Sequence, residues 1–304
     1  MQMTSQIYLP QHNKSIIVNA SWESRFLSGL IKLVTDIKPS KILMFYSHEY
    51  EHLSSENIKE VKKICKKKNI NLTCLKLYSS DTARTWKIIV ERVAKFINSE
   101  NLVTLDISTM TREVVWYICH ILSKQCVSIQ FAYHKPISYS DWLSRDPGKP
   151  RMLYKQSGIQ HMGRPTTLFI QTGFDVERVR QLYQFYDPTQ LILGLQTGDQ
   201  YGNIHNNREL HIEYFSRFRN VSFVDIDGYS SDSTYNTLYL HIEPLVSSAN
   251  IIFSSLGPKV AAISLYLLQK VFPSISLSYA PSIEYNPKYS FGIANTIYGL
   301  INNQ

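Results

Sequence analysis

The sequence is poor in features that mark several large classes of protein. It has only four cysteines and no Cys-x-x-Cys pair, which disfavours a structural metal site or a disulfide framework. No apolar run approaches the roughly 20 residues that a membrane helix needs. Residues 1–13 lack the basic-then-apolar pattern of a signal peptide. We therefore expect a cytoplasmic protein that binds no metal and contacts no membrane.

Several enzyme motifs are also missing. There is no Walker loop (GxxxxGKS/T), and neither half of the chain has GxGxxG after its first predicted strand. ATP hydrolysis and ordinary NAD-linked dehydrogenation are therefore disfavoured. The HExxH metal motif and the GxSxG nucleophile elbow are absent as well. The sequence thus predicts no cofactor and no identifiable catalytic residue, and it leaves open whether the protein is an enzyme.

The chain does contain enough apolar sequence for a core, together with a positive charge. Apolar residues make up 44% of it, and the formal net charge of +8 favours anionic partners. Part of the charge lies on the exposed face of one predicted helix, where such a run is more often solvated than a binding site. These lysines are Lys59, Lys62, Lys63, Lys66, Lys67 and Lys68.

The two halves of the chain can be aligned as an internal repeat. Each half begins with an apolar strand and a turn that carries a small residue, an aromatic and an acid, followed by an arginine. These turns are Ser21-Trp22-Glu23 with Arg25, and Gly173-Phe174-Asp175 with Arg178. The same order of strands and helices continues through five steps, which predicts two copies of one structural unit.

Short β-rich runs alternate with helical stretches in both halves, and most lack a period of two. This pattern is typical of buried parallel strands with right-handed crossovers. The predicted fold class is α/β, with two tandem Rossmann-like units, each a mostly parallel five-stranded sheet with helices on both faces. We predict the first repeat at residues 1–140, a linker or hairpin at 141–165, and the second repeat at 166–304.

In such a sheet, ligands bind at the carboxyl ends of the strands, near the point where strand order reverses. The best candidates are the loops after the fourth strands, each of which leads to a cation that opens a helix. Helix N-termini of this kind attract anions, although the hydroxyl groups could instead merely cap the helix. The candidate ligand-binding residues are Ser108, Thr109, Thr111 and Arg112 in the first half, and Ser254, Ser255, Gly257 and Lys259 in the second.

Loops after the other strands supply further candidates. Gly173 and Arg178 follow a first strand, and Tyr133 and Tyr279 end the fifth strands, where tyrosine rings could stack on bases. His134 either faces the same cleft or is an ordinary loop residue. Less specific polar candidates follow the second and third strands: Ser47, His48, Glu49, Ser79, Ser80, Asp81, Thr197, Gly198, Asp199, Tyr201, Asp227, Ser230 and Ser231.

The two strand-four loops resemble the ligand-binding motif of CARF-type (CRISPR-associated Rossmann fold) domains. The matching segments are Asp106-Ile107-Ser108-Thr109-Met110-Thr111-Arg112 and Ser254-Ser255-Leu256-Gly257-Pro258-Lys259. The first lacks the glycine pair usual in that family, and the second has only Gly257. CARF domains pair about a two-fold axis and bind cyclic oligonucleotides, and some cleave them. The resemblance implies a built-in pseudo-dimer whose effector protein acts in trans.

Three functions follow as hypotheses. The first is a nucleotide-binding or nucleotide-sensing module of a prokaryotic antiviral-defence-type system, with an anionic ligand, namely a nucleotide. The second is an enzyme acting on a nucleotide or nucleic acid, in which a phosphate-centred transition state is stabilised by the same cleft. Its candidate groups are Arg112, Lys259, Asp106, Asp227 and His134.

The third hypothesis is a non-catalytic partner subunit of a defence complex. The C-terminal stretch is rich in tyrosine, which suits a protein interface because the ring is largely apolar and its tip is polar. These tyrosines are Tyr279, Tyr285, Tyr289 and Tyr298.

Overall fold

The computed structural model describes residues 4–7, 9–98, 100–197 and 204–303. Numbered in chain order, its strands are β1 (Thr4–Ile7), β2 (Ser15–Ala20), β3 (Lys41–Ser47), β4 (Asn71–Leu77), β5 (Leu102–Asp106), β6 (Ser128–Lys135), β7 (Ser138–Tyr139), β8 (Ser144–Pro147), β9 (Arg151–Met152), β10 (Thr166–Gln171), β11 (Gln190–Gln196), β12 (Val221–Ile226), β13 (Asn250–Ser255), β14 (Ser276–Tyr279), β15 (Ser282–Tyr285), β16 (Ser290–Phe291) and β17 (Asn295–Ile301). Its α-helices are α1 (Ser24–Ile37), α2 (Glu51–Lys67), α3 (Thr82–Phe96), α4 (Arg112–Lys124), α5 (Val176–Tyr186), α6 (Ile204–Phe215), α7 (Ser231–Ile242) and α8 (Lys259–Val271).

The chain forms two compact units. Unit 1 comprises Met1–Asp141 together with Pro287–Gln304, and unit 2 comprises Trp142–Asn286. No described helix is both long enough and apolar enough to cross a membrane. The six lysines of the basic run lie on α2 or at its end and are exposed, as the sequence predicts.

Unit 1 contains a seven-stranded sheet in the order β1-β17-β6-β5-β2-β3-β4. Its five parallel strands, numbered among themselves along the chain, stand in the order 3-2-1-4-5, which is typical of one half of a Rossmann fold. Helices α1 and α2 share one core with β2 and β3, in which Phe26, Leu30 and Val61 are buried. Helices α3 and α4 cover the opposite face, where Ile89 and Val115 are buried.

Unit 2 repeats this arrangement in a six-stranded sheet, in the order β12-β11-β10-β13-β14-β9. The parallel strands β10 to β14 again stand in the order 3-2-1-4-5. Helices α5 and α6 share one core with β10 and β11, in which Val179, Leu182 and Phe215 are buried. The predicted α/β fold class, with five mostly parallel strands in each unit and helices on both faces, is confirmed.

The boundaries of the units differ from the predicted ones. Residues 142–165 are not a linker, because β8 and β9 in this segment belong to unit 2, where β9 pairs antiparallel with β14. Residues 287–304 do not belong to the second repeat, because β17 pairs antiparallel with β6 of unit 1. The end of the predicted second repeat therefore supplies a strand to the sheet of unit 1, and the predicted linker supplies one to the sheet of unit 2.

A short antiparallel ribbon follows the fifth parallel strand in both units. It is formed by β7 and β16 in unit 1, and by β8 and β15 in unit 2. Side-chain hydrogen bonds tie each ribbon to the first helix of its own unit or to the turn before that helix. The repeat thus extends beyond the five strand–helix steps that the sequence shows.

Candidate functional site

The first and fourth parallel strands are neighbours in both units, so the loops that follow them meet at one point of the sheet edge. In unit 1 these strands are β2 and β5, and in unit 2 they are β10 and β13. Strand order reverses at this point, which is where open α/β sheets bind ligands. The candidate strand-four loops therefore occupy the expected position in both units, but their hydrogen bonds differ.

In unit 1 the hydroxyl groups of the strand-four loop are used within the fold. Ser108 is fully buried, and its Oγ accepts a hydrogen bond of 2.8 Å from the His134 backbone N–H. Thr109 Oγ1 donates to the Asn19 carbonyl at 2.7 Å, and Thr111 Oγ1 caps α4 by accepting from the Val114 N–H. These contacts favour the alternative in which the hydroxyl groups of this loop serve the fold and cap α4. Arg112 follows the loop on the first turn of α4.

In unit 2 the two loops approach so closely that only glycine fits. A Cβ atom on Gly173 would overlap the Leu256 carbonyl, and one on Gly257 would overlap the Thr172 carbonyl. Such contact between backbones needs residues without side chains. The glycines predicted as ligand-binding residues therefore hold the strand-one and strand-four loops against each other.

Two buried glutamines brace this contact, and sequence reasoning missed both. Gln171 Oε1 accepts from Ser255 Oγ at 2.5 Å, and its Nε2 donates to the Pro258 carbonyl at 3.0 Å. Gln196 Nε2 donates to the Thr172 carbonyl at 2.5 Å. The available signal was a polar amide at the end of an otherwise apolar strand. These bonds fix the loop that leads into α8.

The starts of α4 and α8 differ in the way they are capped. Thr111 caps α4 with its side chain, and Glu113 lies in the first turn of that helix. Pro258 stands at the N-cap of α8, where no side chain caps the helix and no acid lies in the first turn. Lys259 opens α8 instead. Since a helix N-terminus carries partial positive charge, this end of α8 suits an anion better than the equivalent end of α4.

Ser254 adds a buried polar group to the same loop. Its side chain is fully buried, and its Oγ has no hydrogen-bond partner among the described residues. Burying a hydroxyl without a hydrogen-bond partner lowers the stability of the folded state, so such groups are uncommon in folded proteins. Four of the predicted ligand-binding residues, Ser254, Ser255, Gly257 and Lys259, thus lie between the end of β13 and the start of α8.

The arginines of the two matching turns are engaged within the fold. Arg178 donates to the hydroxyl groups of Ser144 and Ser282, one on each strand of the unit 2 ribbon. In unit 1 the matching Arg25 is almost completely buried and donates to Glu23 at 2.8 Å. Burial, the largest single cause, lowers the pKa of Arg25, but Glu23, Tyr133 and Tyr139 together outweigh it, and the pKa is raised above its ordinary value. Both arginines therefore stabilise the fold. Arg178 was predicted to bind a ligand, but its guanidinium binds the unit 2 ribbon instead.

The predicted stacking tyrosines are also buried. Tyr133 is 2% exposed and Tyr279 is 7% exposed, so neither presents a ring face to a base. In unit 1 the Tyr133 hydroxyl lies 3.4 Å from the Tyr139 hydroxyl. Of the C-terminal tyrosines expected at an interface, Tyr298 is buried as well, with an exposure of 4%.

His134 and Asp106 form a closed pair inside unit 1. His134 Nε2 lies 3.7 Å from Asp106 Oδ2, and both side chains are buried. His134 Nδ1 lies 2.9 Å from Thr296 Oγ1 on β17, and its ring packs against Gly29 of α1. Burial lowers the pKa of His134. Because His134 is buried and lies on β6, it is neither a cleft residue nor a loop residue, the two alternatives that the sequence left open.

The ends of β3 and β4 are tied together by Glu49. Its carboxylate accepts hydrogen bonds from Ser47 Oγ at 2.8 Å, and from the Ser80 backbone N–H and hydroxyl at 3.1 Å. Partial burial raises the pKa of Glu49, but hydrogen bonds from the Ser79 backbone and the Ser47 hydroxyl outweigh it and lower the pKa to about 2. Glu49 is therefore a clamp between two neighbouring loops.

We expect Glu49→Gln to remove part of the acid sensitivity of unit 1. The folded-state pKa of Glu49 is about 2 and its ordinary value is 4.5, so the charged form is favoured by folding. Its contribution to stability is complete above pH 4.5 and is lost as the pH falls towards 2. Urea unfolding at pH 7, 4.5 and 3 measures the free energy of unfolding of both proteins. The difference between the parent and Glu49→Gln should become smaller as the pH falls. A gap that is constant across these pH values would contradict the clamp.

The remaining candidates are less informative. Asp227 Oδ1 accepts from the Tyr229 N–H at 3.0 Å and so shapes the turn before α7. Gly198, Asp199 and Tyr201 lie outside the described residues. Within the described ranges, no group of three or more His, Cys, Asp or Glu side chains is placed to hold a metal ion.

Comparison with known proteins gives a distant structural likeness. No protein-family model and no curated protein matches the chain. Among solved structures, the crystal structure of the N-domain of a bacterial malonyl-CoA reductase with NADP is similar at 10% sequence identity and a TM-score of 0.27. The match covers 86% of this chain and 78% of that chain. This similarity is too low to indicate a function. The fold is therefore assigned from the strand order, and the candidate site from its own geometry.

Proposed function

We propose that the protein binds a nucleotide, and that unit 2 holds a phosphate group of this ligand at the N-terminus of α8. The observation that carries the proposal is the start of α8, which follows a braced Gly-Pro turn at the switch point and has no side-chain cap. Lys259 on the first turn would add a full positive charge to the partial charge of the helix.

The difference between the two units supports this proposal. The same loop in unit 1 is closed by Ser108, Thr109 and Thr111, each of which makes a hydrogen bond within the fold. In unit 2 Gln171 bonds to the Pro258 carbonyl and to Ser255 of the loop, while Gln196 bonds to the strand-one loop at Thr172, and no side chain caps α8. One copy of a duplicated site would thus keep ligand binding, while the other keeps only its structural contacts.

The class of nucleotide is a finer part of the proposal. The resemblance of Ser254–Lys259 to the CARF motif favours a cyclic oligonucleotide, and it favours a role as a sensor in a prokaryotic antiviral-defence-type system. An effector protein acting in trans would then read the bound state. The enzyme hypothesis has less support, because two of its candidate groups, Asp106 and His134, are enclosed in the core of unit 1.

A thermal-shift screen tests the proposal. The panel contains mononucleotides, dinucleotides, cyclic dinucleotides, cyclic oligoadenylates and inorganic phosphate. A ligand that binds only the folded protein stabilises it by about 2.7 kcal/mol at a hundredfold excess over its dissociation constant. We expect Lys259→Ala to weaken binding about 10- to 100-fold, as the loss of one charged hydrogen bond does.

Arg112→Ala is the matched control, since Arg112 opens α4 at the position equivalent to Lys259 in α8. It should leave the affinity within about twofold of the parent. Equal loss in both variants would show that the two loops do not differ as proposed. No shift with any member of the panel would contradict nucleotide binding and favour the partner-subunit hypothesis.

A further inference from the structure

Unit 1 carries a second cluster at the carboxyl ends of its strands, away from its strand-four loop. The loops after β2, β3 and β4 present four rings, which we call the aromatic row: Trp22, His48, Tyr50 and Tyr78. Trp22 and Tyr50 lie 5.7 Å apart between ring centroids, and His48 and Tyr78 lie 5.1 Å apart. The three strands are adjacent in the sheet, so their loops form one continuous stretch of the edge.

The exposure of these rings separates them from the structural aromatics of the same unit. Trp22, Tyr50 and Tyr78 are partly exposed and His48 is exposed, whereas Tyr117 and Tyr133 are buried. Rings that only complete a core are buried by their neighbours. Partly exposed rings at the ligand-binding edge of a Rossmann-like sheet are instead placed to receive a planar group.

A cation lies over one face of a ring in the row. The guanidinium carbon of Arg84 is 3.7 Å from the centre of the Tyr78 ring, and Arg84 is exposed. The nearby acids are already engaged, since Glu49 accepts from Ser47 and Ser80, and Glu51 pairs with Lys76 at 2.8 Å. The row therefore combines ring faces with a neighbouring positive charge, which is the chemistry of a base together with its phosphate.

The loops that carry the row are held in place. Beyond the Glu49 clamp, the His48 N–H donates to the Leu77 carbonyl at 2.8 Å. Asn57 Nδ2 of α2 donates to the Ser21 carbonyl at 2.7 Å, next to Trp22. Rings on fixed loops lose little conformational entropy when a ligand stacks on them, so such a site binds without rearrangement.

We infer that the aromatic row of unit 1 is a stacking site for a nucleobase, with Arg84 next to the phosphate of the same nucleotide. This site lies in unit 1 and does not depend on the phosphate site proposed at α8 in unit 2. The base can come from a free nucleotide or from a single-stranded nucleic acid, since both offer the same ring.

Calorimetric titration of the full chain tests the site with three probes. They are AMP, ribose 5-phosphate, which lacks the base, and a single-stranded oligodeoxyadenylate of about ten nucleotides. We expect AMP or the oligonucleotide to bind and to quench tryptophan fluorescence, and ribose 5-phosphate to do neither. Tighter binding of the oligonucleotide than of AMP identifies a single strand as the source, and equal binding identifies a nucleotide.

Variants of the row locate the binding. Trp22→Leu and Tyr78→Leu should each weaken binding roughly 5- to 150-fold, which corresponds to the loss of one stacking ring. Trp22→Phe keeps an aromatic face, so it should retain the affinity within a few fold while the quenching is lost. Tyr239→Leu on α7, an exposed tyrosine outside the row, is the control and should bind like the parent.

Several outcomes would overturn the inference: no binding of AMP or oligonucleotide, equal binding of ribose 5-phosphate, or unchanged affinity in both Trp22→Leu and Tyr78→Leu. Repeating the titration with Lys259→Ala separates this site from the one proposed at α8. Retained quenching in that variant supports the aromatic row, and its loss would assign the binding to α8 instead.

Discussion

Removal of residues 287–304 is expected to unfold unit 1 while unit 2 keeps its fold. Strand β17 lies between β6 and β1, and its residues Asn295–Ile301 pair with β6 along their whole length. Ile297, Tyr298 and Ile301 are buried, at about 1.5–3 kcal/mol for each side chain. A loss on the order of 5 kcal/mol is comparable with the total stability of many domains. The truncation also exposes the edge of β6.

Hydrogen–deuterium exchange checks this result by locating the loss. Amides of β5 and β6 should lose protection in the truncated chain, while those of β10 and β13 keep it. A chain that lacks only residues 303 and 304 is the control. It loses the 2.7 Å bond from Asn303 to the Val127 carbonyl, and about 1 kcal/mol with it. Unchanged protection of the unit 1 amides in the chain that lacks residues 287–304 would show that unit 1 does not need β17 to fold.

The second large effect is expected for Arg25→Met. Arg25 and Glu23 form an ion pair of 2.8 Å whose side chains are 2% and 8% exposed. Ser290 Oγ of the ribbon also donates to Glu23 Oε2, at 2.5 Å. Removing the arginine leaves a buried carboxylate without its cation, which costs about 3–5 kcal/mol. Urea unfolding of the variant measures this loss directly.

A double variant distinguishes the loss of the pair from the loss of packing. Arg25→Met combined with Glu23→Gln removes both charges, so most of the lost stability should return. Arg180→Met is the control on a surface pair, in which Arg180 and Glu177 are 43% and 62% exposed. It should cost less than about 1 kcal/mol. A double variant as unstable as Arg25→Met alone would attribute the loss to packing rather than to charge.

The parallel core of both units could be predicted because each part of it has a local signal. Apolar runs such as Ile16-Ile17-Val18 and Leu191-Ile192-Leu193 are buried on both faces of a sheet, and their alternation with helices specifies parallel strands. The antiparallel additions have no such signal. Strand β9 has only two residues, and β17 pairs with a strand, β6, that lies far from it in the sequence, so neither reveals the sheet it joins.

The candidate site was predicted at the right loops but only partly with the right residues. The switch point follows from strand order, so the strand-four loops could be named in advance. The partners of Ser108 and Thr109 could not, because they are a backbone N–H and a carbonyl 26 and 90 residues away in the chain. Trp22 and Tyr78 follow strands that are far apart in the sequence, so their common position at one edge of the sheet is known only from the strand order.

The sequence by itself determined that the chain is a duplicated α/β protein whose loops at the strand ends are the places for chemistry. Those properties depend on periodicity, turn residues and the order of elements, which are local. Tertiary structure alone decided that β17, from the predicted second repeat, joins the sheet of unit 1 and that β9, from the predicted linker, joins the sheet of unit 2. It also decided that Arg25 and Arg178 are structural, and that the strand-four loops of the two units differ. These depend on hydrogen bonds and burial between residues far apart in the chain, which no local pattern encodes.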